Sequence, residues 1–410
     1  MAGITLNVFL AGLVSFLTDA ASEMIFPLLP IFLALPGVAG GFPVADLVGL
    51  LEGAAETAAA LCKLGAGMMS DRARRKKPFI LAGYGLSSAA RPLMALAATW
   101  WHPVLVRLVD RFGKGIRTAP RDALIAESTP PAHRGKAFGF HRSMDHLGAV
   151  LGPLLAVALL LALHRASPGT TDREGLLRAV FLFSAIPGAA TVAIIAFWLR
   201  DVRTGSAGAR ARLSWKGFDA NFRRYLGCIF LFTLGNSTDM FLILRAAETI
   251  GAGRGPWSAG VRAMALVPLL WAFFHVFKMV SATPFASLSD RIGRKKLIGL
   301  GWGVYILSYA GFALMNRAWQ AWPLFALYAM YYGLTEGVER ALVADLAPPH
   351  LVGTAMGLYH LAVGLAALPA SLGFGLIYAS LGPPVAFGCA AFLALAASFL
   401  LLAGVGERRA

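Results

Sequence analysis

The segment SDRARRKK at residues 70–77 recurs as SDRIGRKK at residues 289–296. A second landmark repeats with almost the same spacing, because Glu127 and Asp345 each precede a Pro-Pro pair by three residues. The alignment that places Glu127 on Asp345 is called the repeat register below. Matches at a nearly constant spacing indicate an internal duplication. The sequence therefore predicts two related halves that run in the same direction.

The composition of the 410-residue chain is typical of a membrane protein. Hydrophobic residues make up 58% and charged residues 14% of it, whereas soluble domains have roughly 45–50% and about 25%. Cys62, Cys228 and Cys389 lie in apolar runs without a CxxC motif, so the cysteines predict neither a disulfide framework nor a metal site. Nucleotide-binding and hydrolase motifs are also missing. We therefore expect no enzyme activity, no cofactor and no bound metal.

Twelve segments are long enough to cross about 30 Å of hydrocarbon as helices, which takes about 20 residues. They are too long for strands and do not alternate as strands do. The segments are Thr5–Leu35, Asp46–Met69, Pro78–Thr99, Trp101–Glu127, Lys136–His164, Gly175–Leu199, Phe222–Ile250, Trp257–Leu288, Leu297–Asn316, Trp319–Leu346, Gly353–Ser380 and Pro383–Ala403. We predict an all-α membrane protein with twelve transmembrane helices in two six-helix pseudo-symmetric halves, residues 1–200 and 221–410, joined by a linker at 201–220.

Lys and Arg residues are distributed unequally over the loops. The termini, the linker and the loops on the same side carry 20 of them, and the opposite loops carry four. Because basic residues mark cytoplasmic loops, we expect both termini in the cytoplasm and the chain in the plasma (inner) membrane. Orientation and contacts with anionic lipids on the cytoplasmic face account for most of the net charge of +16, so no nucleic-acid partner is expected.

The repeated loop resembles the signature of the major facilitator superfamily, Gly-x-x-x-Asp-Arg-x-Gly-Arg-Arg/Lys. Residues 67–76 match it except at Arg74, where the family has Gly, and the second copy restores that Gly as Gly293 but has Ala286 at the first position. The resemblance covers the whole chain. It implies the fold of that superfamily and transport by alternating access at the interface between the halves.

Two further motifs most closely resemble those of the drug:proton antiporter branch of that superfamily. Residues 111–119 resemble the motif R-x-x-Q-G-x-G-A-A, from which Lys114 and Arg117 depart. Gly139, Gly148 and the pair at 152–153 match the antiporter motif whose glycines let helices approach closely. The resemblance implies a secondary transporter that exports a small organic solute in exchange for protons, and we expect it to be a monomer.

Fourteen ionisable residues lie well inside the predicted helices. Facing lipid would cost them about 40 kcal/mol in total, at roughly 3 kcal/mol each, so they must face water or pair with one another. Spacing i,i+4 places Asp19 beside Glu23 on helix one and Glu52 beside Glu56 on helix two. The other candidates for the central cavity and proton coupling are Asp110, Arg111, Lys114, Arg117, Arg142 and Asp145.

These charges provide a physical route to proton coupling. Burial favours the neutral form of a carboxylate, and a nearby cation favours the charged form. If opening to one side separates Asp19 or Glu23 from the cations of helix four, the carboxylate takes up a proton, and renewed pairing releases it. The alternative is that these residues form permanent buried ion pairs that fix helix packing.

The second half has fewer charges at depth and more aromatic side chains. We predict substrate contacts from Asn236, Asp239, His275, Lys278, Tyr331, Tyr332 and Glu336. Proton coupling would then belong to the first half and substrate recognition to the second. A packing role is the alternative for an isolated histidine such as His275.

The family resemblance also implies a cytoplasmic latch that closes this side in the outward-open state. In it, loop aspartates cap neighbouring helices and their basic neighbours reach acids on helices four and ten. The latch residues are Asp71, Arg72, Arg75, Glu127, Asp290, Arg291, Arg294 and Asp345. For the Arg residues, the alternative is a role in membrane topology alone.

Two other functions are compatible with the sequence. One is transport of an organic anion, recognised by the cations Arg107, Lys114, Arg117 and Arg142. The other is a receptor or lipid-handling protein on the same fold that does not transport. The expected partners are thus a small-molecule substrate, protons and membrane lipids.

Overall fold

The computed structural model describes residues 4–72, 75–130, 134–166, 172–201, 217–251, 261–348 and 351–406. Within them the chain forms α-helices, short 3₁₀ segments and no strand. The α-helices are α1 (Leu6–Ile25), α2 (Leu29–Leu33), α3 (Pro36–Ala39), α4 (Val44–Arg72), α5 (Lys77–Ala90), α6 (Trp101–Glu127), α7 (Arg134–Ala166), α8 (Arg173–Phe183), α9 (Ala185–Phe197), α10 (Ala220–Gly235), α11 (Met240–Gly251), α12 (Val261–Ile292), α13 (Arg294–Leu314), α14 (Ala321–Leu346), α15 (Val352–Leu381) and α16 (Pro383–Gly404).

Nine helical segments in the described part of the chain are long and apolar enough to cross a membrane. They are Leu6–Leu33, Lys77–Leu96, Ala137–Ala166, Arg173–Phe197, Ala220–Gly251, Met264–Ser281, Arg294–Leu314, Thr354–Leu381 and Pro383–Gly404. Three further helices, α4, α6 and α14, have 29, 27 and 26 residues. Their length suffices for a span, and their sequences are the ones rich in charged or tyrosine side chains. The twelve segments together confirm the predicted twelve-helix, all-α fold.

Besides the turn at Ser184 between α8 and α9, three of the predicted spans are interrupted near polar residues. A 3₁₀ segment at Phe26–Leu28, with Pro27 inside it, separates α1 from α2. Another 3₁₀ segment, Arg91–Leu96, follows α5 and contains Pro92. Proline lacks the amide hydrogen that a continuous helix needs, which explains both breaks.

The third interruption lies between α10 and α11 and contains no proline. Asn236 leaves the helical conformation at φ −101° and ψ 82°. The hydroxyl of Thr238 accepts a hydrogen bond from the amide of Met240 at 3.3 Å, and the carbonyl of Asp239 accepts one from Leu242 at 3.1 Å. These bonds start α11, so the polar residues 236–239 stand outside regular helix. Irregular backbone at membrane depth is tolerated where protein or a cavity surrounds it.

The chain divides into two compact units. Unit 1 comprises Met1–Phe42, Ala54–Arg210 and Arg254–Ala272, and unit 2 comprises Pro43–Gly53, Ala211–Gly253 and Phe273–Ala410. In unit 1, α1 packs against α7 and α9, and α5 packs against α6 and α9. In unit 2, α13 packs against α14 and α16, and α10 packs against α15 and α16. Each unit therefore includes one short segment from the other half of the sequence.

Glycines permit the closest helix contacts in unit 1. A Cβ on Gly113 of α6 would lie 2.6 Å from the carbonyl oxygen of Gly83 on α5, and a Cβ on Gly83 would meet Gly113 in the same way. On α7, a Cβ on Gly148 would lie 3.1 Å from the Cβ of Asp19, and one on Gly152 would lie 2.9 Å from the Cβ of Glu23. The glycine face of α7 thus packs directly against the two acidic residues of α1.

We predict that Gly113→Ala destabilises the protein by about 1–3 kcal/mol, the usual cost of overpacking a tight contact, because the backbone of α5 cannot yield as a flexible side chain would. Gly85→Ala on α5 is the matched control, since nothing lies within 4 Å of its added Cβ. Alanine there should be neutral or stabilising by up to about 1 kcal/mol. Thermal unfolding of the purified protein in detergent measures both, and equal stability of the two variants would contradict the packing described.

Candidate functional site

Asp110 of α6 is the centre of a buried ionic cluster in unit 1. Its Oδ1 accepts a hydrogen bond from Nε of Arg91 at 3.0 Å, and its Oδ2 lies 3.5 Å from a guanidinium nitrogen of Arg107. Arg91 also donates to the carbonyl of Thr18 on α1 at 3.0 Å. The three charged residues are at most 5% exposed. This cluster therefore connects α1, α6 and the 3₁₀ segment after α5.

Arg117, about two turns further along α6 than Asp110, is also held inside unit 1. It donates to the hydroxyl of Ser87 at 2.7 Å, and its guanidinium lies 4.2 Å from the ring centre of Tyr84. Arg107 in turn lies 5.1 Å from the ring centre of Phe26. Arg107 and Arg117, two of the cations predicted to recognise an organic anion, are thus held by neighbouring side chains and are only 4% exposed.

Arg111 and Lys114 form the more accessible part of the cationic stripe. Nε of Arg111 lies 3.3 Å from Oε1 of Glu56, whose side chain is 42% exposed. Lys114 is half-buried and interacts electrostatically with Arg111, Glu56 and Asp19. Within the described part of the chain, no carboxylate lies close enough to Lys114 to form an ion pair.

Asp19 and Glu23 on α1 have different surroundings. Glu23 accepts a hydrogen bond from the indole of Trp271, an α12 residue within unit 1, at 2.7 Å. Asp19 is half-buried and interacts electrostatically with Asp145, Lys114, Glu23 and Arg117. Among the described residues, none forms a hydrogen bond or an ion pair with the Asp19 carboxylate. Asp19 is therefore a carboxylate near cations that is not locked to any of them.

Asp145 of α7 is held by three side chains. The hydroxyl of Ser15 donates to Oδ1, and Oδ2 lies 3.6 Å from both His141 and Arg142. Arg142 is itself more than half exposed. The i,i+3 relation of Arg142 and Asp145 is thus a real contact, on the side of α7 that faces α1.

Asp239 occupies the break between α10 and α11 in unit 2. It accepts hydrogen bonds from the hydroxyls of Tyr328 at 2.6 Å and Tyr332 at 3.0 Å. Asn236 at the same break donates to the hydroxyl of Tyr331 at 3.1 Å. The irregular backbone thereby brings two polar residues of one predicted span onto the tyrosines of α14.

Lys278 and Glu336 form an ion pair beside this tyrosine group, at 3.1 Å. The ammonium of Lys278 also lies 3.9 Å from the ring centre of Tyr332. His275, one turn earlier on α12, is 8% exposed. Glu52, which was predicted for proton coupling, is 2% exposed and lies in the α4 segment that belongs to unit 2. Six of the seven predicted substrate contacts, all except His275, thus cluster in unit 2 around Tyr332.

The predicted latch residues are described only in part, since the side chains of Asp71, Arg72, Asp290 and Arg291 lie outside the described residues. Arg294 pairs with Asp345 at 2.5 Å. Glu127 pairs with Lys76, whereas Arg75 is exposed. Glu127 and Asp345 therefore each pair with a basic residue of the repeated segments, Lys76 in residues 70–77 and Arg294 in residues 289–296.

Comparison of the sequence with known protein families shows which family the chain belongs to. The family model described as Major Facilitator Superfamily matches residues 11–368 and 265–409. The chain belongs to the Major Facilitator Superfamily. An uncharacterised MFS-type transporter of Methanocaldococcus jannaschii is 34% identical over 397 residues, which cover 97% of this chain and 94% of the relative.

More distant matches are transporters as well. The multidrug resistance protein MdtG of Proteus mirabilis is 24% identical over 351 residues, with 83% of this chain and 82% of the relative covered. The solved structure of the nucleoside transporter NupG has the same fold, with a TM-score of 0.76 at 13% identity and 97% and 99% of the two chains covered. The protein is therefore an integral, multi-pass membrane transporter of a small molecule, and it is not an enzyme.

Two buried charged residues of this transporter escaped the sequence reasoning. Arg91 lies in the middle of the predicted span Pro78–Thr99, and Glu339 lies in Trp319–Leu346, so the rule that selects ionisable residues at depth could have found both. The internal duplication also points to Glu339, because the residue that corresponds to it in the repeat register, Arg121, is charged as well. No group of three His, Cys, Asp or Glu side chains in the described residues is arranged to hold a metal ion.

We predict that Arg91→Met destabilises the transporter by about 3–5 kcal/mol, because it leaves Asp110 as a buried charge with one partner fewer. The double variant Arg91→Met with Asp110→Leu removes both charges and should recover a large part of that loss. Thermal unfolding in detergent measures the two variants side by side. If the single variant were as stable as the unmodified protein, the cluster would not be what holds these helices together.

Proposed function

We propose that the protein is a proton-coupled secondary transporter that exports a small organic solute by alternating access. The observation that carries this proposal is the state of Asp19. It lies half-buried beside Lys114 and Arg117, yet no described residue forms a direct ion pair with it. Such a carboxylate can exist in both protonation states without breaking a strong contact.

The other acids of unit 1 are less suited to this role. Asp110 is bound by Arg91 and Arg107, and Glu56 is bound by Arg111. Releasing the buried Asp110 from its pairs is costly, and Glu56 is the more exposed of the two acids and already has a cation at 3.3 Å, so we infer that these pairs support packing rather than proton exchange. Asp19 therefore remains the first candidate for the coupling proton.

Lys114 is the natural counterpart of Asp19 in the proposed cycle. When Lys114 approaches, the charged form of Asp19 is favoured and its proton leaves. When Lys114 withdraws, burial favours the neutral form and a proton binds. The surroundings of Glu23 would also change during the proposed cycle, because its partner Trp271 belongs to α12 of the second half. A rearrangement of α12 would thus change the environment of Glu23.

Solute recognition fits best in unit 2. Asp239, Tyr332, Lys278 and Glu336 are half-buried and combine charge with an aromatic face. Small-molecule sites commonly pair such apolar surfaces with a few oriented polar groups. The name of the Proteus mirabilis relative, a multidrug resistance protein, supports export of an organic compound.

The proposal includes an orientation. The basic loops favour cytoplasmic termini in the plasma membrane, with anionic lipids on that face. The pairs Lys76–Glu127 and Arg294–Asp345 would then belong to a latch on the cytoplasmic side, with residues 1–200 and 221–410 moving as the two halves of a monomer. Recognition of an organic anion has less support, because two of its four cations, Arg107 and Arg117, are used in helix packing.

We predict that Asp19→Asn abolishes solute transport driven by a pH gradient, lowering the initial rate by about 100-fold or more, the lower range for loss of a proton-transfer group. The measurement is solute flux in proteoliposomes with and without a pH gradient, screened with ethidium and with neutral and anionic organic compounds. Glu174→Gln is the matched control, since this acid pairs with Arg178 at the surface of unit 1. Its transport should be unchanged.

Gradient-driven flux that survives Asp19→Asn would remove Asp19 from the proposal. Flux of an anion that is independent of pH would instead favour the organic-anion alternative.

A further inference from the structure

Glu339 of α14 lies in a buried pocket of unit 2 that the proposed cycle does not use. Its side chain accepts two hydrogen bonds, from the indole of Trp302 to Oε1 at 3.1 Å and from the hydroxyl of Tyr359 to Oε2 at 2.8 Å. The hydroxyl of Tyr225 donates to the Glu339 carbonyl at 3.0 Å. Glu339 itself is 9% exposed.

The donors around the Glu339 carboxyl group are neutral. Trp302 comes from α13, Tyr359 from α15 and Tyr225 from α10, and Phe232 stacks on Trp302 at 4.3 Å. The charged side chains that act on it electrostatically belong to α14 itself, namely Arg340 and Glu336. Arg340 directs its guanidinium to Glu336, at 3.2 Å. In the described part of the chain, no cation lies within ion-pair distance of Glu339.

An ionised carboxylate without a counter-ion is unfavourable in such a site. Two neutral hydrogen bonds do not replace the hydration that the charge loses on burial, and a group in this position takes up a proton instead. Both hydrogen bonds remain possible in the acid form, because each can be accepted by a lone pair of the carboxyl oxygens. The geometry is therefore compatible with a carboxylic acid.

The duplication shows that this pocket is a distinct feature of unit 2. In the repeat register, Trp302 corresponds to Tyr84, Glu339 to Arg121 and Tyr359 to His141. In unit 1, Arg121 bonds to the hydroxyl of Tyr84 at 3.4 Å and pairs with Asp122 at 2.8 Å. The same position in the repeat thus holds a paired cation in unit 1 and an acid with neutral partners in unit 2.

We propose that Glu339 is a second proton-binding site of the transporter, neutral in the conformation described here and in exchange with water during the transport cycle. Its use in coupling rests on the function proposed above, whereas proton binding at Glu339 does not. Trp302 and Tyr359 are positioning residues, because they stabilise the charged form by donating to it. Losing either one makes the proton harder to remove.

Infrared spectroscopy of the purified full-length protein, recorded over a range of pH, tests the proposal directly. We expect a carbonyl stretch of a protonated carboxylic acid at neutral pH that disappears as the pH rises and shifts in D₂O. Glu339→Gln should remove this band and should unfold at the same temperature as the unmodified protein or higher, because Gln resembles the neutral acid. Tyr359→Phe should keep the band to a higher pH.

Glu336→Gln is the matched control, since that acid is paired with Lys278 and Arg340 and should contribute no such band. The proposal is overturned if Glu339→Gln leaves the spectrum unchanged, or if its band neither titrates nor exchanges in D₂O. An exchanging band in a protein whose flux is independent of pH would support proton binding at Glu339 while refuting the coupled transport proposed above.

Discussion

The cost of placing an ionised side chain in hydrocarbon is the constraint on which this structure depends. Each such charge must find an opposite charge, a hydrogen-bonding partner or water. Unit 1 meets the requirement with pairs, among them Arg91–Asp110 and Arg111–Glu56. The glycines of α5, α6 and α7 let the helices approach closely enough for these short side-chain contacts. The packing of the helices therefore determines which charges can pair in this transporter. Asp19 differs from the paired residues because it has no direct partner among the described residues.

The two units have chemically different residues at corresponding positions of the repeat. In the repeat register, Arg91 corresponds to Tyr309, Asp110 to Tyr328 and Lys114 to Tyr332. Where unit 1 has an ionic cluster, unit 2 thus has neighbouring tyrosines, with the ring centres of Tyr309 and Tyr328 6.1 Å apart. Tyrosines need no counter-ion, so they fill the same positions at a lower desolvation cost. This difference gives a physical basis for the proposed placement of solute recognition beside the tyrosines of unit 2.

Much of the fold follows from the sequence, and less of the site does. Segment length predicted all twelve spans, because the thickness of the bilayer imposes it directly on each helix. Helical spacing correctly put Asp19 and Glu23 on one face. It could not show that Arg117 would bind Ser87 and pack on Tyr84 of α5, because spacing within a helix does not identify the neighbouring helix. Nor could it reveal that Trp271, 248 residues away in sequence, binds Glu23. The breaks at Phe26–Leu28, at Arg91–Leu96 and at residues 236–239 were all missed, because apolar length does not show where a helix is interrupted.

Thiol labelling along α6 tests most directly whether its charges face water inside the protein. Single cysteines at Lys114 and Phe112 would be introduced into a variant lacking Cys62, Cys228 and Cys389, and a water-soluble maleimide would be added to the protein in membranes. Phe112 is 46% exposed on the surface of the protein and should face lipid, so a cysteine there should react slowly, while a cysteine replacing Lys114 should react quickly. Fast reaction at position 112 with none at position 114 would mean that α6 turns its cations towards lipid, and it would contradict the account.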